Sequence, residues 1–233
     1  MENNTILSVK SLKEQVYDYL RHQLSEGALR PGAAIHLDAT CRKLGISKTP
    51  LREALIMLEM EDFVTIRPRR GVFVNELTLD DILDYYQLIG ALESTALLAA
   101  SPRLAPADIR HMADLNRWMN AALDDNDFDR YYRFNLEFHD TYIRASGNRR
   151  LIRAANTMKK RLYDFPRREG FVREWERSSV EEHRHIHELL AEGRPEEAAR
   201  FVRDVHWSYS VQEKFILKYY ASAARTVHTE EAE

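Results

Sequence analysis

Three histidines in the second half of the chain are the residues best suited to bind a metal ion. His139, His183 and His206 each fall on the apolar side of a different predicted helix. Asn135 lies one helical turn before His139 and offers an amide oxygen. Imidazole nitrogens with one oxygen ligand suit zinc, nickel or another divalent first-row ion. A single such histidine more often makes a core hydrogen bond, but three on separate inward faces favour one divalent transition metal per chain.

A second group of residues suited to binding lies in the segment 46–55, ISKTPLREAL. Its apolar residues have the spacing of a buried helix, whereas its first turn is polar and cationic. The segment 64–74, VTIRPRRGVFV, places a basic tip between two alternating apolar runs. Residues 42–70 contain 7 Lys and Arg against 4 Asp and Glu, although the net charge of the chain is −3. Any surface that binds nucleic acid must therefore be local, and we expect it here.

The elements that position this basic segment follow the order of a winged helix-turn-helix domain. A helix opens at Ser11, where Glu14 completes a capping box. A short helix is predicted over 37–44, followed by a tight corner. The next helix runs to about Asp62, a residue that can take a left-handed conformation. Two short strands within 64–74 then form the wing.

The basic helix tip fits the geometry of DNA recognition. In a helix-turn-helix, the first residues of the second helix face the major groove, and the N–H groups at the helix start favour phosphate. Arg52 suits guanine best, because its fork can donate to O6 and N7 together. A solvated basic face is the plain alternative, but here the tip, the corner and the basic wing coincide. The predicted DNA-binding residues are Ser47, Lys48, Thr49, Arg52, Arg69, Arg70 and Gly71.

The rest of the chain shows helical periodicity only. We predict a mainly α protein with a winged helix-turn-helix domain over 1–76 and an all-α antiparallel helical bundle over 77–222. A polar tail over 223–233 should be frayed. The candidate helices of the bundle are 78–100, 106–124, 128–146, 148–164, 176–192 and 196–220.

The composition is that of a globular protein, with 44% apolar and 30% charged residues among 233. The single Cys41 permits no intramolecular disulfide, and no apolar run is long enough to span a membrane. The first ten residues, MENNTILSVK, lack the apolar core of a signal peptide. We therefore expect a cytoplasmic protein without a membrane partner.

These residues resemble the GntR family of bacterial transcription regulators. The helical part resembles the ligand-sensing FCD domain of the family's FadR-like branch, so the resemblance covers about residues 9–222. The segments that carry it in the winged domain are Pro31-Gly32, LGISKTPLREALIMLE at 44–59 and PRRGVFV at 68–74. Three departures are Lys48 where arginine is commoner, Asp62 where glycine is usual and Asp38 where some members place a DNA-contacting arginine.

The resemblance supports the same metal site. Many FCD domains hold a metal through an Asp or Asn four residues before a His, a second His in an EH motif and a third His on the last helix. Those positions match Asn135, His139, His183 and His206. The turn EGRPEEA is one residue longer than usual, so His206 would rotate off the site unless that residue is absorbed. His187, one turn after His183, is then a spare ligand, although a polar rim position suits it better.

The resemblance also implies a small effector, in this branch usually a carboxylate that reaches the metal. Many members hold it with an arginine in the pattern R-x-x-L-E, but here the stretch is IGALE, with Ile89 at the arginine position. The metal alone, another arginine or a different class of ligand are then alternatives. The candidate effector-binding residues, all of which also suit core or surface roles, are Tyr131, Tyr142, Arg133, Arg153, Arg161 and Tyr209.

The sequence favours a homodimeric transcription regulator that binds double-stranded operator DNA. Its affinity would change when an organic, sugar or amino acid binds near zinc or nickel in the bundle, and a dimer follows from two symmetry-related half-sites. A metal-dependent hydrolase is the alternative from another class, since three histidines with an open position also describe hydrolytic zinc sites. No HExxH pattern and no clear general base appear, so we expect no enzyme. A metal-stabilised DNA binder without an effector is the third interpretation.

Overall fold

The computed structural model describes residues 10–163 and 172–229, with side chains described up to residue 220. The break predicted at 166–170 lies outside the described residues. The described chain forms two compact units. None of its helices is both long and apolar enough to cross a membrane.

The first unit is a winged helix-turn-helix fold. Among the described residues it comprises the chain up to Leu77 together with residues 160–163, the last turn of a later helix. Its elements are α1 Leu12–Ser25, β1 Ala34–Ile35, α2 Leu37–Leu44, α3 Lys48–Met60, β2 Val64–Arg67 and β3 Gly71–Val74.

Helix α3 is held in the first unit by the apolar face that its sequence predicts. Leu51, Ala54, Leu55 and Leu58 are each at most 1% exposed. Burying one large aliphatic side chain stabilises a fold by about 1.5–3 kcal/mol, so this face anchors the helix firmly. The remaining faces of α3, including Arg52, are left to solvent.

The wing is a three-stranded antiparallel sheet in the order β1-β3-β2. Strand β2 pairs with β3 so that Val64 lies opposite Val74. The two-residue strand β1 adds to the other edge of β3 and was missed from the sequence, because two residues show no alternation. Asp62, between α3 and β2, has a left-handed φ of 62°, as predicted.

The second unit is entirely helical and begins at Thr78, whose hydroxyl accepts from the Asp81 N–H at 3.1 Å and caps the first helix. The helix predicted over 176–192 begins three residues earlier, and the one predicted over 196–220 is interrupted and continues past its expected end. The helices are α4 Leu79–Ala100, α5 Pro106–Asp124, α6 Phe128–Ala145, α7 Arg149–Tyr163 (up to Lys159 in this unit), α8 Arg173–Ala191, α9 Pro195–Phe201 and α10 Tyr209–Thr229.

A glycine within α4 lets a neighbouring segment pack closely. A Cβ on Gly90 would lie 3.0 Å from Trp207 Cβ and 3.5 Å from the Arg203 carbonyl oxygen. Glycine inside a helix costs about 1 kcal/mol relative to alanine, so its presence here reflects the close approach of the chain between α9 and α10.

Candidate metal centre and DNA-binding surface

The three predicted histidines meet in the interior of the helical unit. His139 comes from α6, His183 from α8 and His206 from the segment after α9, and all three are buried. Within the described residues, one nitrogen from each lies within 4.8 Å of the other two. The Nε2 atoms of His139 and His183 are 3.2 Å apart. Two nitrogens bound to one tetrahedral zinc ion lie roughly 3.3 Å apart, so this spacing fits two ligands of one metal.

A π-helical turn brings the third histidine into place. The turn spans Val202–His206, and the Trp207 N–H donates to the Val202 carbonyl at 2.9 Å, five residues back. Such a turn holds one more residue than an α-helical turn. His206 at the end of this turn reaches the cluster. Half-buried His187 is not among the three converging residues in the described part of the chain.

A carboxylate lies behind His206. Glu182 Oε2 is 2.7 Å from His206 Nδ1, and Glu182 Oε1 accepts from Gln212 Nε2 at 2.9 Å. The side-chain oxygen of Gln212, Oε1, accepts in turn from Trp175 Nε1 at 2.9 Å. A carboxylate on one imidazole nitrogen orients the ring and leaves the other nitrogen for a metal.

A second carboxylate, Glu93 on α4, lies behind His139 and was not assigned a role from the sequence. Its Oε2 is 2.7 Å from His139 Nδ1 and 2.9 Å from the indole nitrogen of Trp207. Glu93 is fully buried on a largely apolar helix face. A carboxylate between Ile89 and Leu97 on that face was the signal available in the sequence.

Burial keeps two of the imidazoles uncharged. Desolvation lowers the pKa of His139, against the raising effect of Glu93. Desolvation lowers the pKa of His183 well below its usual value, with the neighbouring imidazoles of His206 and His139 acting in the same direction. Neutral imidazole is the form that binds a metal ion. Three imidazole nitrogens that converge in the interior fit a divalent transition metal.

The predicted oxygen ligand and one predicted effector residue lie next to the cluster. Asn135 is 5% exposed, one turn before His139 on the inner face of α6. The Tyr142 hydroxyl lies 2.7 Å from His139 Nδ1. Tyr131 is also buried on this helix.

The predicted arginines are not brought to the cluster. Arg133 and Arg153 are exposed, and Arg133 lies over the ring of Phe134. Arg161 belongs to the winged unit, where it donates to the Glu76 carbonyl at 2.7 Å, so its guanidinium is already engaged there. Tyr209 is half-buried at the start of α10.

The predicted DNA-binding residues form an exposed surface on the winged unit. Ser47 precedes α3, and Lys48, Thr49 and Arg52 are exposed in or just after its first turn. Lys48 Nζ lies 2.7 Å from Asp38 Oδ1, and this lysine holds the pKa of Asp38 below its usual value. The cationic end of α3 is therefore partly neutralised by the preceding helix.

The wing tip is exposed and basic. Arg69 has a left-handed φ of 61°, and Gly71 has a φ of 111° that a residue with a side chain rarely adopts. Arg69 and Arg70 are both exposed. The Arg67 guanidinium instead lies 5.0 Å from the centroid of the Phe73 ring and covers the sheet.

A winged helix-turn-helix followed by an all-helical domain with a buried histidine cluster defines the class of DNA-binding transcription regulators. Residues 12–74 match the family described as bacterial regulatory proteins, gntR family. Residues 84–205 match the FCD domain. The chain belongs to the GntR family and carries an FCD domain.

Similar proteins are also named as transcriptional regulators. The chain is 30% identical to the Nta operon transcriptional regulator of Aminobacter aminovorans, over 74% of this chain and 80% of that protein. It is 31% identical to the transcriptional regulator McbR of Escherichia coli K12, over 55% of this chain and 58% of that protein. These families and relatives are transcription regulators and not enzymes, which disfavours the hydrolase interpretation.

Solved structures share the fold. The structure of E. coli McbR/YncC matches with a TM-score of 0.66 and 23% identity, over 92% of this chain and all of that one (100%). A putative GntR regulator from Rhodococcus sp. RHA1 matches with a TM-score of 0.63 and 21% identity, over 83% and 93% of the two chains.

Proposed function

We propose that this GntR regulator senses a small effector at a metal held by His139, His183 and His206, with Asn135 as the oxygen ligand. The observation that carries the proposal is the convergence of three buried imidazole nitrogens within 4.8 Å. Burying three imidazoles this close together removes polar nitrogens from water, which is costly unless they gain a partner. A bound ion would satisfy all three.

The donor set selects the metal and leaves room for a ligand. Imidazole nitrogens with one amide oxygen suit zinc or nickel better than magnesium or calcium, which prefer oxygen ligands. Three or four protein ligands leave at least one position open on an ion that takes five or six. We propose that an organic, sugar or amino acid occupies it through a carboxylate, as the FCD resemblance implies. The Tyr142 hydroxyl contacts His139 at Nδ1 and donates to Glu93, so this predicted effector residue supports the imidazole.

The regulatory step links the bundle to the winged units of a homodimer. Only four residues, 75–78, connect β3 to α4. Movement of the bundle on effector binding would therefore be transmitted to the recognition helices with little damping. In a dimer on two half-sites, a small change in the placement of the recognition helices is enough to alter operator affinity.

The metal proposal is tested by thermal unfolding of metal-stripped protein to which zinc, nickel, cobalt and manganese are added singly. We expect zinc or nickel to raise the melting temperature of the wild type and to leave His139→Ala unaffected. His111→Ala is the matched control, because His111 is an exposed histidine that pairs with Glu137 on the surface. No metal response in the wild type would return the three histidines to a packing role.

The effector proposal is tested by a second screen on the metal-loaded protein. Panels of organic, sugar and amino acids are added, and a ligand that raises the melting temperature only with metal present is then tested for its effect on operator binding by fluorescence anisotropy. An unchanged operator affinity for every stabilising ligand would favour a metal-stabilised DNA binder without an effector. Sedimentation equilibrium tests the dimer.

A further inference from the structure

Glu93 is a buried carboxylate of the helical unit that contacts four side chains. Its Oε2 lies 2.7 Å from His139 Nδ1, 2.5 Å from the Tyr142 hydroxyl and 2.9 Å from Trp207 Nε1. Its Oε1 lies 3.1 Å from Lys159 Nζ. Glu93 and His139 are fully buried, and Lys159 is 2% exposed. A buried ion pair is costly to desolvate, so its retention beside the histidine cluster calls for a role.

The partners of Glu93 fix the direction of the hydrogen bond to His139. An indole N–H can only donate, so Trp207 requires an acceptor oxygen on Glu93, and the Tyr142 hydroxyl donates to the same oxygen. The Lys159 ammonium beside the other oxygen favours the ionised carboxylate. A carboxylate that accepts from these groups also accepts from His139, whose Nδ1 must then carry the hydrogen. The lone pair of His139 is thereby placed on Nε2, the atom that lies 3.2 Å from His183 Nε2.

We propose that Glu93 is a positioning residue for the metal site and that Lys159 is its counter-charge. Glu93 sets the tautomer and ring orientation of His139 from the Nδ1 side, so the Nε2 lone pair faces the metal position before any ion arrives. Lys159, on α7, holds the second carboxylate oxygen and keeps the charge of Glu93 balanced in the interior. This inference rests on the proposed metal function for its purpose, although the tautomer it assigns to His139 does not require a metal.

The decisive readout is the tautomer of His139 in metal-free protein. Long-range proton–nitrogen NMR spectra of the protein labelled with ¹⁵N-histidine distinguish Nδ1–H from Nε2–H imidazole, and His139→Ala identifies the signal. We expect Nδ1–H in the wild type. We expect a shift toward Nε2–H in Glu93→Gln, whose amide can donate to Nδ1, and a smaller shift in the same direction in Lys159→Met.

Zinc affinity provides the second readout, measured by competition with a chromophoric chelator. Loss of an outer-shell partner typically weakens metal binding about 10–100-fold, and we expect Glu93→Gln to fall in this range. Lys160→Met is the matched control, because Lys160 is the next residue on α7 but pairs with Glu61 in the winged unit. It should leave both the tautomer and the zinc affinity unchanged.

Two results would overturn the assignment. A wild-type His139 protonated on Nε2 would do so without any variant, which matters if Glu93→Gln fails to fold by circular dichroism. An unchanged tautomer with zinc affinity within about twofold of wild type in both folded variants would also do so. If the wild type binds no zinc, nickel or cobalt, the metal function fails, while the tautomer comparison still decides the role of Glu93.

Discussion

The two units of this regulator differ in where they place their nitrogen-bearing side chains: the winged unit exposes them and the helical unit buries them. On the winged unit, lysine and arginine groups stand on an exposed helix tip and a β-turn, all within 42–70. In the helical unit, the imidazoles come from three separate segments and are buried with carboxylates behind two of them. An exposed cation needs only a scaffold that points it outward, whereas a buried donor needs each remaining polar atom to be satisfied. The two surfaces should therefore respond differently to substitution, pH and salt.

The largest effect should come from removing a histidine of the cluster. We expect His206→Ala to weaken zinc binding by more than the roughly 10–100-fold that an outer-shell change costs, because a ligand itself is lost. His187→Ala, one turn from His183, should change the affinity only slightly. Isothermal titration with metal-stripped protein measures both. A larger loss in His187→Ala than in His206→Ala would mean that the π-turn does not deliver His206 to the metal.

Buried carboxyl groups should make the helical unit sensitive to pH. Burial raises the pKa of Glu176 from 4.5 to about 7, with a hydrogen bond involving Tyr131 opposing the shift. The native state therefore holds this proton more tightly than the unfolded state, so the free energy of unfolding should fall as the pH rises from about 4.5 to about 7. Glu176→Gln stays uncharged, and we expect it to remove this slope and to stabilise the protein above pH 7 by about 1–3 kcal/mol.

Urea unfolding between pH 5 and pH 8 measures that slope. Glu174→Gln is the matched control, because Glu174 is an exposed carboxylate on the same helix. It should retain the pH dependence of the wild type. Equal slopes in the wild type and in Glu176→Gln would show that this carboxyl group is ionised in the native state throughout the range.

On the winged unit, Arg52→Ala should reduce specific operator binding by about 1–3 kcal/mol if the guanidinium reads a base. Lys48→Ala should weaken binding to operator and unrelated DNA alike, as expected of a phosphate contact. The slope of log affinity against log salt concentration should become shallower by about one. Anisotropy titrations with both DNAs at several salt concentrations separate the two roles. Arg144→Ala, an exposed arginine of the helical unit, is the control. Equal losses on both DNAs for Arg52→Ala would make Arg52 a phosphate contact.

The smallest effect should come from Asp38, which pairs with Lys48 at 2.7 Å. Asp38→Asn releases the lysine, and we expect tighter DNA binding by less than about fivefold, because an exposed ion pair is worth little. The salt dependence should become steeper, since a further cation then displaces counterions. A weaker affinity in this variant would indicate that Asp38 orders Lys48 for its DNA contact.

The winged unit could be predicted from sequence because its determinants are local. The spacing of Leu51, Ala54 and Leu55 gives the buried face of α3, and the capping box at Ser11 gives the start of α1. Strand β1 could not be predicted in the same way, since its two residues owe their conformation to pairing with β3.

Only the residues that would contact the metal could be predicted from the sequence. The three histidines were recognisable because each interrupts an apolar helical face. Glu93 and Lys159 were not, because their ion pair joins α4 to α7, and nothing in either helix alone indicates which interior group balances a buried charge. Arg161 was the opposite case, a predicted effector residue whose hydrogen bond to Glu76 lies in the winged unit.

The π-turn at Val202–His206 has a consequence for aligning this chain with its relatives. If a relative continues the α-helix through this stretch, an alignment with its gap near Gly193 would pair His206 with a neighbouring residue of that relative. The gap would then belong between Phe201 and Trp207, where a backbone hydrogen bond of this chain spans five residues in place of four.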